Sequence, residues 1–198
     1  MAQGGVRFPY ARTGTQAMLD TSAMSLKVSN SVLDRWNALE SEDAAHEVLP
    51  CCGSHAWAKG LVARRPFASA DELFTVSDQI WWNLQEPDWQ QAFDNYPRIG
   101  QQHAPIATAE SLKWSSEEQR TATSSDEQVK TALANANRRY EDKFGRIFIV
   151  CASGRSASEI LGILERRMEN SPDAELKEAA EQQRQITQLR LRRWLGVE

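Results

Sequence analysis

Three short segments hold the residue types that could grip a small polar ligand. Asn95-Tyr96-Pro97-Arg98-Ile99-Gly100 is too rich in Pro and Gly to continue a helix and reads as a turn. It is followed, 15 residues after Gly100, by Ser115-Ser116-Glu117-Glu118-Gln119. Ser115 stands three residues before Glu118, as in a capping box, which predicts a helix start there. A turn and a helix N-terminus, with a carboxylate and an amide between them, suit a small anionic ligand. The third segment is Gly154-Arg155, after an apolar run and before a helix signal. An arginine fork and free backbone N–H groups at such a place fit a carboxylate.

The remaining reactive side chains read more plainly. His46, among Asp43, Glu47 and alanines, is expected on the surface, and His55 beside Ser54 is expected to be structural. His103, in the polar loop Gln101-Gln102-His103-Ala104-Pro105, is free to reach a pocket, though a solvated loop histidine is the default expectation. Cys51, Cys52 and Cys151 make an odd count without a nearby histidine cluster, which predicts reduced thiols and no zinc site. Gly-rich phosphate loops and Gly-x-Ser-x-Gly elbows are absent.

Helices must position these groups. Ser31 is expected to cap a segment with Val32, Leu33, Trp36 and Leu39 on one side. Ser41 begins a second, through Ala44, Val48 and Leu49, that Pro50 should stop. Gly53-Ser54 opens a third with Trp57 and Leu61, and Ser69 a fourth with Leu73, Val76, Ile80 and Leu84. Pro87 sits in the first turn of a fifth that holds Trp89, Ala92 and Phe93. Asp126 should cap a helix striped by Val129, Leu133, Ala136 and Tyr140, ending near Phe144-Gly145. Ser156 or Ser158 starts one using Ile160, Leu161, Leu164 and Met168, closed by Asn170-Ser171-Pro172. A last long helix from Asp173 uses Leu176, Ala179, Ala180, Ile186, Leu189 and Trp194. The seven tryptophans are expected mostly in the core. Ile147-Phe148-Ile149-Val150-Cys151 alone is β-like, and with no partner strand it is expected to be an extended connector buried between helices. The fold class is therefore all-α, a single-domain bundle of about eight helices over residues 30–198. Residues 1–29, with Gly4, Gly5, Pro9 and Gly14 and no sustained periodicity, are expected to form a disordered extension.

Bulk composition narrows the function. A chain of 198 residues with 41% hydrophobic and 25% charged residues suits one ordinary core. A net charge of −4 argues against a nucleic-acid surface, and no apolar run approaches a membrane span.

Taken in order, several motifs resemble the decarboxylases that act on 2-oxo-4-hydroxy-4-carboxy-5-ureidoimidazoline (OHCU) in urate breakdown and yield S-allantoin. They are Cys51-Cys52-Gly53-Ser54 with Trp57, Arg65-Pro66-Phe67, Ile80-Trp81-Trp82, Asp88-Trp89, Ala92-Phe93 and Pro97-Arg98-Ile99-Gly100. Trp114-Ser115, Glu118-Gln119, Asn137, Tyr140, Phe144-Gly145, the run Phe148 to Arg155, and Arg190-Leu191 complete them. The resemblance runs from about Leu33 to Leu195. It implies an all-helical, cofactor-free carboxy-lyase, typically a homodimer, with a small ureidoimidazoline substrate, and the expected reduced thiols point to a cytoplasmic protein. The implied catalytic positions are Tyr96 and Glu118. Substrate would be bound by Pro97, Ser115, Glu118, Gln119, backbone groups of Phe148, Ile149, Val150, Cys151 and Ala152, and Arg155 as anion partner. One position departs: the family has its acid/base histidine before the proline, and this chain has Tyr96. Two expectations follow, a decarboxylase in which Tyr96 or His103 delivers the proton, or a member that binds ureide-like ligands without turnover.

Overall fold

In the computed structural model, residues 30–99, 107–120 and 127–197 are described, with Met1. Among them lie nine helices and no strand. They are α1 (Ser31–Asn37), α2 (Ser41–Cys52), α3 (His55–Val62), α4 (Ala70–Asn83), α5 (Glu86–Asp94), α6 (Ala109–Glu118), α7 (Glu127–Phe144), α8 (Ala157–Arg167) and α9 (Pro172–Leu195). The all-α expectation holds. The expected N-terminal extension, the Asp126 cap and His103 lie outside the described residues.

Side-chain caps fix most of the starts. Ser54, Ser69, Ser156 and Ser171 each accept a hydrogen bond from a backbone N–H of the first turn. The first helix is capped one residue earlier than expected: the Asn30 side chain accepts from Val32 and Leu33. Pro50 does not stop α2 but lies within its last turn. A proline there forgoes only one hydrogen bond, because the helix ends at left-handed Gly53, whose N–H closes on Leu49 O at 2.7 Å.

Two apolar clusters form the interior. The larger gathers buried residues of α1–α5 and α9, among them Trp36, Trp57, Trp81, Phe93 and Leu191. The smaller joins α7 and α8 through Leu133, Tyr140, Phe144, Ile160 and Leu164. Long α9 has Gln183, Thr187 and Arg190 fully inside, whereas Leu189, expected on its buried stripe, is exposed. Trp82 is likewise exposed and meets Trp89 edge to face. None of the described helices is long and apolar enough to cross a membrane.

The connector after α7 is non-helical and buried, as its apolar run suggests. Ile147, Ile149 and Cys151 pack on the larger cluster; Phe148, Val150 and Ala152 join the smaller one. That strict alternation is the signature of extended backbone. The segment is thus a seam between the two clusters.

Candidate active site

The turn that carries Tyr96 and Pro97 is pinned from both ends. Asn95 Nδ2 donates to Gly53 O at 3.0 Å and to Gln91 O at 2.9 Å. Gly53 has φ +87°, and a Cβ there would come within 2.9 Å of the Asn95 Cβ, so this corner needs glycine twice over. Beyond the turn, Arg98 grips Glu141 of α7 through two hydrogen bonds of 2.6 and 2.7 Å.

Ser115 to Glu118 form the last turn of α6, not the first turn of a helix. The start is Thr108, whose side chain accepts from Ser111 N. The expected anion site at a helix N-terminus beside Ser115 therefore does not exist. Ser115 instead faces inward, and its hydroxyl accepts from Arg190 Nη2 at 2.9 Å.

Arg190 organises this region, and all five of its N–H donors are used. Nε donates to Glu118 Oε1 at 2.9 Å, and Nη2 donates to Glu118 Oε2 at 2.9 Å besides Ser115. Nη1 donates to Pro50 O at 3.1 Å and Ser111 Oγ at 3.0 Å. The guanidinium also lies 4.6 Å from the centre of the Tyr96 ring and 5.8 Å from that of Trp114. Burial opposes its charge, but Tyr96 and the Glu118 carboxylate outweigh that and raise its pKa above the ordinary value.

Tyr96 is buried, and its hydroxyl accepts from Gln183 Nε2 at 3.0 Å. No described group takes the hydroxyl's own proton, while the Gln183 Oε1 beside it is buried without a partner. Burial pushes the phenol's pKa well up, only partly offset by Arg190. Tyr96 is therefore a neutral hydrogen-bond donor at physiological pH, and a poor acid.

Between these elements lies a small cavity of about 20 Å³, room for about one water. Tyr96, Pro97 and Ile99 form one wall, and Glu118 with Gln119 another. The seam residues Phe148, Ile149, Val150 and Ala152, with Ile186 of α9, close it. Phe148 and Val150 make no backbone hydrogen bond to any described residue. Buried backbone groups left open in this way are available to a ligand.

Most of the expected positions thus meet at one cavity, and three do not line it. Ser115 stands behind it, held by Arg190. Cys151 turns to a depression on the other side of the seam, with Asp78 and Arg184. Arg155 is exposed, and its Nε donates to Cys151 O at 3.0 Å, folding the side chain back on its own loop. Conversely, Gln183, which the sequence did not mark, Arg190, marked only by the resembling motif, and Ile186, expected only as core, contribute to the region. Polar residues at helical spacing inside the apolar stripe of α9 were the available signal. His46 and His55, both exposed, line a separate apolar groove between α2 and α3.

Comparisons with known proteins agree in direction. A model of the OHCU decarboxylase family matches residues 37–192. The chain is 40% identical over 143 residues to the uric acid degradation bifunctional protein TTL of Arabidopsis thaliana, covering 71% of this chain and 44% of that protein. It is 24% identical over 164 residues to the uric acid degradation bifunctional protein of Bacillus sp. (strain TB-90), covering 80% of this chain and 31% of that one. The chain spans less than half the length of both of these curated relatives. Among solved structures, an OHCU decarboxylase crystallised in the presence of (S)-allantoin superposes with a TM-score of 0.66 at 35% identity, over 80% of this chain and 99% of that chain. An (S)-allantoin synthase superposes at 0.61 with 16% identity, over 82% and 53% of the two chains, a likeness of fold alone.

Proposed function

The chain belongs to the OHCU decarboxylase family, and on that footing we propose that it converts OHCU to S-allantoin in urate breakdown. The observation that carries this reading is the cavity in which Tyr96, Glu118, Gln119 and the open backbone edge of Phe148 and Val150 converge. In the reaction the bond from the ring carbon to the carboxylate breaks and CO₂ leaves. The electron pair passes into the adjoining ring system, and a proton then takes the carboxylate's place on one face.

Each group suits a part of that task. Glu118, fixed by two charged hydrogen bonds from Arg190, is an acceptor for ureido or ring N–H groups rather than a proton source. Gln119 and the backbone edge supply neutral donors and acceptors for the remaining polar atoms. A dry apolar surround strengthens these contacts and keeps stray water from the carbanion-like centre. Since the cavity holds about one water, binding requires its walls to part by several ångströms. Tyr96 delivers the proton through its uncommitted hydroxyl, and Ser115 acts on Glu118 through Arg190. We propose further that the protein works as a homodimer without cofactor, as the family resemblance implies, and in the cytoplasm, as its free thiols suggest.

A second reading is favoured by one observation. The buried Tyr96 phenol is a weaker acid than a free tyrosine, where the family has a histidine. In this reading the chain binds ureide-like ligands without decarboxylating them. Following the circular-dichroism signal of OHCU with purified protein separates the two. Loss faster than spontaneous decay, with S-allantoin as product, supports the enzyme; an unaltered decay with bound (S)-allantoin supports the binder.

A further inference from the structure

A second buried arginine stands on the far side of the seam, outside the cavity. Arg167 of α8 is 6% exposed, and its Nη1 donates to Ile149 O at 2.8 Å. Its Nε and Nη2 donate to Glu175 Oε1 at 2.8 and 2.5 Å. Glu175 is fully buried and also accepts from the Tyr140 hydroxyl and, on Oε2, from Asn170 Nδ2 at 2.7 Å. The same guanidinium lies 4.6 Å from the centre of the Phe148 ring. Two consecutive seam residues are therefore held by one side chain, one through its carbonyl and the other through its ring.

A second tie acts on the same edge of the seam. Cys151 N donates to Gln182 Oε1 of α9 at 2.9 Å. In extended chain the backbone polar groups of successive residues point to opposite edges, so residues two apart share one. Ile149 and Cys151 share one edge, and both are tied by side chains of α8 and α9. Phe148 and Val150 share the other, which no described residue ties.

The geometry points to Arg167 as a positioning residue: by holding Ile149 O, with Gln182 holding Cys151 N, it fixes which backbone edge of the seam is offered to the ligand. The inference rests on the decarboxylase reading for the identity of that ligand. Losing the tie lets the seam rotate or slide, and an edge whose register slips presents the wrong groups. Arg167 touches no substrate in this scheme, and Glu175 serves to keep the guanidinium neutralised and aimed.

The test compares the wild-type protein with Arg167→Lys and with the double variant Arg167→Met, Glu175→Leu. The double variant removes the buried pair without leaving either charge uncompensated, a change that folds tolerate well. Circular dichroism and thermal melting establish that each is folded. Lysine keeps the charge but cannot hold Ile149 O and Glu175 together in a fork. Both variants are expected to raise KM for OHCU, and the Kd for (S)-allantoin, by about tenfold, while kcat changes much less; a merely structural lesion would lower active protein without moving KM. Amide hydrogen exchange of Cys151, whose N–H is held by Gln182, is expected to speed up by a similar factor, with α2 and α3 unaltered. Folded variants with wild-type KM, or with unchanged exchange at this amide, would overturn the inference. A wild-type protein that does not accelerate OHCU loss would reject the decarboxylase reading instead, and amide exchange would still report on the tie.

Discussion

Replacing Glu118 by Gln separates what this side chain does for the fold from what it does for chemistry. In the native site its two oxygens receive two of the five N–H donors of Arg190, and the two side chains are 9% and 1% exposed. Glutamine keeps one acceptor but turns an NH₂ group toward the other arginine donor. One charge-assisted hydrogen bond is lost, worth about 1.5–3 kcal/mol, and the buried guanidinium loses its counter-charge. Breaking a buried pair from one side costs about 3–5 kcal/mol. Two serine hydroxyls, the Pro50 carbonyl and two aromatic faces still hold Arg190, which favours the lower end, about 3 kcal/mol. For a domain of this size that lowers Tm by roughly 6–12 °C. Urea denaturation and thermal melting read the stability, and OHCU loss at a temperature where the variant is folded reads the chemistry. Turnover should fall by at least about 100-fold, because the fixed anionic acceptor is gone. Adding Arg190→Met to Glu118→Gln should recover much of the stability and none of the turnover. A single variant within about 0.5 kcal/mol of wild type would refute the buried pairing, since changes of that size are what unpaired surface sites give. A folded variant with wild-type turnover would refute the role of Glu118.

Three further outcomes follow from the same geometry. Tyr96→His should raise turnover by about 10²–10⁴-fold if proton delivery limits the rate, because imidazole titrates near neutrality and the unpartnered Gln183 Oε1 can accept its N–H; an unchanged rate would show that chemistry is limited elsewhere. Burial raises the folded-state pKa of both Tyr96 and Tyr140, so their stabilising effect is complete below the unfolded value of about 10 and is lost as the pH climbs above it. In a Tyr10→Phe background, phenolate absorbance should therefore appear only together with alkaline unfolding; phenolate in the folded protein near pH 10 would contradict this. Burial also pushes the Cys51 thiol well up, that of Cys52 up to about 12 and that of Cys151 up as well, so at neutral pH iodoacetamide should modify half-buried Cys151 slowly in the native protein, through its solvent access, and the other two only after unfolding.

Much of the fold was legible in the sequence because its signals are local. Ser54, Ser69 and Ser156 mark helix starts through bonds made within three residues, and Pro87 and Gly145 act through their own backbone; Ser171, expected to close one helix, caps the next. The connector too could be read, since five apolar residues bounded by turns leave few alternatives. Part of what failed depends on partners far along the chain, and part on which way a side chain turns within its own loop or helix. Ser115 and Glu118 have capping-box spacing, yet both side chains are taken by Arg190, 75 and 72 residues away. Arg155, expected as an anion partner, turns back on its own loop to Cys151 O, an orientation its sequence neighbours do not announce. Leu189 fits the spacing of α9 but falls outside the stripe because Gln183, Thr187 and Arg190 occupy the buried face. Those polar residues were the missed clue. A long helix that buries an arginine must have built something for it to hold.

The most direct measurement is the circular-dichroism trace of freshly generated OHCU with and without the purified chain. A cavity that fixes Glu118, Gln119 and the seam edge around one protonated face should shorten the signal's lifetime in proportion to protein concentration and leave S-allantoin alone. A racemic product, or a decay indifferent to added protein, would contradict it.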